Sequence, residues 1–132
     1  MKFCVVAGLL PSRSRDVFSI NLKGGNKVRL LGPEIYAWNR AVCKVIIGSE
    51  NTVFEAAFSV TNMDGTVAVK VNKSGTAVPG IKFGYKVIGS EVYLFLYYNT
   101  ASSNNVGLVV MSQSAVVYDS SIDWTTVTEI TL

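Results

Sequence analysis

Ile81-Lys82-Phe83-Gly84-Tyr85-Lys86-Val87-Ile88-Gly89-Ser90-Glu91-Val92-Tyr93-Leu94-Phe95-Leu96-Tyr97-Tyr98 is the stretch on which the fold turns. Its first half alternates, with Ile81, Phe83, Tyr85 and Val87 on one side and Lys82, Gly84 and Lys86 on the other, the period of a strand with one buried face. Gly89-Ser90 then joins the two halves directly. Glycine at the first position of a two-residue loop is what a type II′ turn requires, so the stretch predicts a hairpin from Ile81 to Tyr98. The second half carries Val92, Leu94, Leu96 and Tyr98 on one face and Tyr93, Phe95 and Tyr97 on the other, so both faces are apolar. A strand in a two-layer sandwich meets the core on one face and water on the other, so this one needs a second cover. The favoured cover is another copy of the chain, with Tyr93, Phe95 and Tyr97 at a trimer interface. The alternative is a cap of the chain's own loops.

The same rhythm extends outward. Asp16 to Lys23 sets Phe18, Ile20 and Leu22 against Ser19, Asn21 and Lys23, and Thr66 to Lys73 sets Val67, Val69 and Val71 against Lys70 and Asn72. Turn chemistry falls between the runs at Gly24-Gly25-Asn26, Asn62-Met63-Asp64-Gly65 and Lys73-Ser74-Gly75. Val106 to Met111 is apolar on both faces, interrupted by Gly107, and the doubled Ile-Gly-Ser-Glu at 47–50 and 88–91 reads as two similar turns rather than a repeat. Phe3 to Leu10 is too brief for a signal peptide and reads as a first strand. No apolar run approaches the roughly 18 residues of a membrane span, so no membrane insertion is expected. The expectation is a single all-β domain over 1–132, an antiparallel β-sandwich of jelly-roll type.

Composition bears on partners. Of 132 residues 49% are apolar and 16% charged, against roughly a quarter charged in ordinary domains. A surface so short of charge suggests cover by copies of the same chain. The net charge of +3 is dispersed, and the nearest basic cluster, Arg13, Arg15, Lys23, Lys27 and Arg29, has only Phe18 among it, so nucleic acid is set aside. The chain has no histidine, which excludes Ser-His-Asp and Cys-His catalysis and His-ligated zinc. Cys4 and Cys43 are the two cysteines; Cys43 lies in an apolar run and reads as a small buried hydrophobe, with a disulfide to Cys4 left open. Asp119 with Asp123, and Glu50 with Glu55, are weak candidates for paired carboxylates, and Gly24-Gly25 lacks the lysine-serine of a phosphate loop. The expected protein is not an enzyme and uses no metal or cofactor.

What survives is an inventory suited to sugars, aromatic faces beside amides and charges. Trp38 with Asn39 and Arg40, Tyr98 with Asn99, and Trp124 are the candidate carbohydrate-binding residues, able to stack on a pyranose ring while neighbours bond its hydroxyls.

Glu34-Ile35-Tyr36-Ala37-Trp38-Asn39-Arg40, followed by a β-rich tail and a closing Trp124-Thr125-Thr126-Val127-Thr128, resembles C-terminal modules of bacteriophage tail fibres and tailspikes. Leu9-Leu10-Pro11 and the Asp64-Gly65 hairpin are similar in style. The resemblance implies a homotrimeric sandwich at the distal end of a fibre on the virion, assembled in the host cytoplasm, which fits unpaired cysteines. It further implies a non-catalytic role in trimer stabilisation or in receptor binding to bacterial surface polysaccharide, with Trp38, Asn39 and Arg40 the residues carried over. Two alternatives stand beside it: a monomeric carbohydrate-binding sandwich appended to a secreted or surface enzyme, and a jelly-roll trimer whose task is association itself.

Overall fold

The computed structural model describes residues 17–132; the expected strand at 3–10, with Cys4, Arg13 and Arg15, lies outside them. The strands are β1 (Val17–Leu22), β2 (Lys27–Leu31), β3 (Arg40–Gly48), β4 (Val53–Met63), β5 (Thr66–Gly75), β6 (Ile81–Ile88), β7 (Glu91–Tyr98), β8 (Val106–Ser112), β9 (Val117–Tyr118) and β10 (Thr128–Ile130), with one turn of 3-10 helix at Trp124–Thr126. They build two five-stranded antiparallel sheets, sheet A in the order β1-β8-β3-β4-β5 and sheet B in the order β10-β6-β7-β2-β9. The expected all-β antiparallel sandwich is the architecture found.

Alternation explains the core. Ala41, Cys43, Val45 and Ile47 of β3 and Phe54, Ala56, Phe58 and Val60 of β4 are buried, while Lys44 and Glu55 pair at 3.0 Å on the opposite face. Sheet B contributes Val28, Phe83, Val92, Leu94, Leu96 and Tyr98. Phe58 and Phe83 bring the layers together, one ring from each sheet with centroids 4.9 Å apart. Leu30 and Leu31 are both fully buried because the register of β2 on β7 shifts between Arg29 and Leu31, a bulge that lets consecutive side chains reach the interior.

The hairpin pairs from Ile81↔Tyr98 to Ile88↔Glu91, with Gly89 at φ 64 as a type II′ turn demands. Asp64 (φ 53) and Gly65 (φ 95) form the left-handed pair of a type I′ turn between β4 and β5. Two expectations are corrected. Lys73-Ser74-Gly75 is no turn, because the 11-residue β4 keeps β5 paired through Ser74↔Glu55 and Gly75↔Phe54. Val87, on the inward side of the alternation, lies near the hairpin tip and stays 37% exposed. Gly24-Gly25-Asn26 does turn, with the Asn26 N–H donating to the Lys23 carbonyl at 3.0 Å, but it passes the chain from sheet A to sheet B.

The cover over β7 also differs from the expectation. Phe95 is completely buried within one chain. Gly84 lies opposite it on β6, and a Cβ on Gly84 would collide with Val127 and stand 2.8 Å from the Thr128 carbonyl oxygen. The segment around Val127 therefore rests on this face, and only glycine beneath it leaves the room. Tyr93 stacks on Phe95 with centroids 6.2 Å apart, and Trp124 packs on Tyr97 at 5.2 Å. The Arg29 guanidinium lies 5.8 Å from the Tyr93 ring and the Lys27 ammonium 5.3 Å from the Tyr97 ring, distances at which a cation is attracted to a ring face. Phe95 thus needs no partner copy for its cover, while Tyr93 and Tyr97 remain half-buried.

Cys43 is 4% exposed and carries a free thiol. Burial pushes its pKa from 9.0 up to about 12, so the reactive thiolate is absent at neutral pH. Iodoacetamide is expected to spare Cys43 in the folded chain and label it in urea, as peptide mass mapping would read. The folded pKa lies above the unfolded value, so the thiol's contribution to stability is complete below pH 9.0 and is lost as pH rises towards about 12. An alkaline loss that persists unchanged in Cys43→Ala would assign it to other groups.

Candidate functional site

The strands that give the sandwich its length bring three turns to one end: the loop before β3, the β4–β5 turn and the β6–β7 turn. Asn62, 1% exposed, fastens all three. Its side-chain amide donates to the Ile35 carbonyl at 2.9 Å and to the Ser90 carbonyl at 3.1 Å, and its side-chain oxygen accepts from the Gly65 N–H at 2.8 Å. Its backbone carbonyl accepts from the Trp38 N–H at 2.6 Å, and its N–H donates to the Asn39 carbonyl at 3.0 Å. A buried amide with both ends satisfied fixes its partners far better than the same residue on a surface.

Trp38 is the residue this frame presents. The Asn39 N–H donates to the Tyr36 carbonyl at 2.9 Å, closing a turn in which Trp38, at φ 68, takes the third position, where a left-handed residue is required and glycine or asparagine usually stands. A bulky side chain in that region costs about 1–2 kcal/mol, and the cost secures no burial, since the side chain is 70% exposed. Strain of this kind, held by a surrounding frame, marks functional positions. Asn39 is exposed beside it, and the exposed Arg40 donates through Nε to the Thr61 hydroxyl at 3.3 Å.

Tyr36, which the sequence reading did not single out as a binding residue, belongs to the same end and is 49% exposed. The Glu91 carboxylate raises its hydroxyl pKa by hydrogen bonding and by charge, with smaller contributions from desolvation, Glu34 and Tyr93. Tyr36 therefore remains a proton donor at neutral pH. Glu91 also accepts from the Glu34 N–H at 2.9 Å and the Tyr93 hydroxyl at 3.3 Å. The Tyr93 pKa is raised by desolvation first and by Glu91, against an opposing effect of Arg29.

The remaining candidates lie elsewhere. Trp124 sits on the outer face of sheet B, half-buried, its indole N–H donating to Glu129 at 2.8 Å. Tyr98 lies at the opposite end of the sandwich, 4% exposed, with Asn99 exposed beside it. The three sets are not one site. Asp119 accepts from Ser121 at 2.8 Å, and Asp123 caps the 3-10 turn, where hydrogen bonds from Thr125 hold its carboxyl below the usual range. Among the described residues no three His, Cys, Asp or Glu side chains gather as metal ligands would.

No protein-family model matches the chain and no curated protein does. Among solved structures, similarity is found to the tailspike protein gp49 of Acinetobacter baumannii bacteriophage Fri1, a capsular polysaccharide depolymerase, with a TM-score of 0.37 and 19% identity over 90% of this chain and 20% of that one. The tailspike protein of Acinetobacter phage vB_ApiP_P1 gives a TM-score of 0.35 and 12% identity over 80% of this chain and 21% of that one. The chain spans about a fifth of the length of each.

Proposed function

We propose that this chain is a non-catalytic saccharide-binding module of a phage tail fibre or tailspike, offering Trp38 to bacterial surface polysaccharide. The observation that carries the reading is Trp38 itself, 70% exposed at a left-handed backbone position, its N–H bonded to the backbone carbonyl of the buried Asn62. An exposed indole on a hydrogen-bonded backbone, next in sequence to an amide and a guanidinium, can stack on the apolar face of a pyranose and bond its hydroxyls. Trp38→Asn separates function from fold, because asparagine tolerates the left-handed region. It should leave the Tm unchanged or raise stability by up to about 1 kcal/mol, while weakening binding on a panel of immobilised bacterial surface polysaccharides at least ~10-fold. Undiminished binding would defeat the role of Trp38.

The working unit of this reading is a homotrimer. Support comes from the low charge and from the outer face of sheet A, where exposed Val17, Val42 and Met111 border a shallow groove of about 710 Å³. Tyr93 and Tyr97 would add their exposed edges from sheet B. A monomeric carbohydrate-binding module is the second reading, favoured by one observation, the cover that Phe95 receives inside its own chain. Light scattering on the purified chain separates them: a mass near three chains supports the trimer, and a mass near one chain supports the monomer.

A further inference from the structure

At the end of the sandwich away from Trp38, the loop after β3, the loop before β6 and the loop after β7 enclose a cleft of about 440 Å³, within the range of small-molecule sites. Its floor is apolar, made of Val78, Tyr98 and Val106, each at most 6% exposed. Among the described residues its rim is uncharged except for the exposed Glu50. Asn51 and Asn104 stand on that rim, and the hydrogen bonds they make among the described residues use backbone atoms. The Asn51 N–H donates to the Ser49 hydroxyl at 3.4 Å, the Asn104 N–H to the Ser102 hydroxyl at 3.1 Å, and the Asn104 carbonyl accepts from the Tyr98 hydroxyl at 3.3 Å. Neither side-chain amide has a hydrogen-bond partner among the described residues.

We infer that this cleft is a second saccharide site, taking one neutral pyranose whose vicinal hydroxyls are accepted by Glu50 and bridged by Asn51 and Asn104. The ligand class follows from the lining. With no lysine or arginine among the described lining residues to meet a phosphate or carboxylate, and with one carboxylate that repels anions, an acidic sugar is disfavoured. A rim of amides and hydroxyls over an apolar floor suits a molecule with hydroxyls at its edge and C–H groups on its face. Strand β3, nine residues long, separates this cleft from Trp38 by roughly 26 Å at about 3.3 Å per residue. The site is independent of the Trp38 reading, and the two ends could engage separate stretches of one polymer, gaining by effective concentration.

The test is titration of ¹⁵N-labelled protein with methyl glycosides of glucose, galactose, mannose and N-acetylglucosamine, and with methyl glucuronide as the acidic comparator. At least one neutral glycoside should shift Tyr98, Asn104 and Asn51 resonances saturably, and glucuronide should bind at least ~5-fold more weakly. Glu50→Gln should weaken the neutral glycoside about 5- to 20-fold, the loss expected of a charge-assisted hydrogen-bond acceptor, and narrow the gap to glucuronide. Trp38→Asn should leave these shifts intact. The inference is overturned if no neutral glycoside moves the cleft resonances, if Glu50→Gln binds as well as the parent, or if Trp38→Asn abolishes the shifts. Failure at Trp38 with success here would leave this site standing alone.

Discussion

Asn62→Ala is expected to lower stability by about 2–4 kcal/mol, because three side-chain hydrogen bonds vanish, one of them buried and two part-buried, while the Ile35 carbonyl keeps the Val92 N–H as its remaining donor. In a domain of this size the Tm would fall by about 10–20 °C, and denaturant melts would give the same ordering. Asn62→Asp should be at least as costly, since it keeps the acceptor for Gly65 but sets a buried carboxylate against two carbonyls. The loss should extend beyond stability. Loss of the Ile35 tie loosens the segment leading into the Trp38 turn, although the turn's own bonds to the Asn62 backbone survive, so polysaccharide binding should weaken modestly even at temperatures where the variant is folded. A melt within about 1 kcal/mol of the parent would mean that water replaces the amide, and the account of a rigid frame would fail.

Phe95→Ala is the second large effect, expected to cost about 3–5 kcal/mol, the usual range for emptying a buried phenylalanine site. Phe95→Asp should cost at least as much, since it empties the same site and buries a carboxylate whose nearest available partner is Arg29, directly opposite on β2. The reading of these variants matters as much as their size. A partner-covered phenylalanine would give a folded, dissociated chain of parental stability, whereas one covered internally gives a destabilised chain at every protein concentration. Circular dichroism of Phe95→Ala over a dilution series makes the distinction: melting independent of concentration supports the internal cover, and a folded monomer whose Tm matches the parent overturns it.

Much of the fold was legible. Alternation in β1, β5 and β6 and the Gly89-Ser90 turn are local signals, and each appeared where its residues said it should. The doubly apolar β7 correctly announced a second cover but could not reveal its source, because Val127 and Trp124 reach the strand only through tertiary folding. Gly84 was the available clue, a residue with no side chain on the outward face of an otherwise lysine-bearing strand. The site was less legible. Trp38 stood out as an aromatic among polar neighbours, yet its left-handed backbone and exposure depend on Asn62, which in the sequence was one more turn residue before Asp64-Gly65. The cleft at the other end joins Glu50, Asn51 and Asn104 from separate loops, a meeting that no spacing encodes.

The position of the cap formed by Val127 and Trp124 sets an order of events during synthesis. β7 can pair with β6 and β2 as soon as it has emerged, but Val127 and the 3-10 turn leave the ribosome about thirty residues later, so the Tyr93–Tyr97 stripe spends that interval wet and adhesive. In a crowded polysome, nascent neighbours carry the same stripe. The cap thus acts as a timer, and the yield of soluble chain should depend on how quickly the codons from Asn99 to Val127 are read.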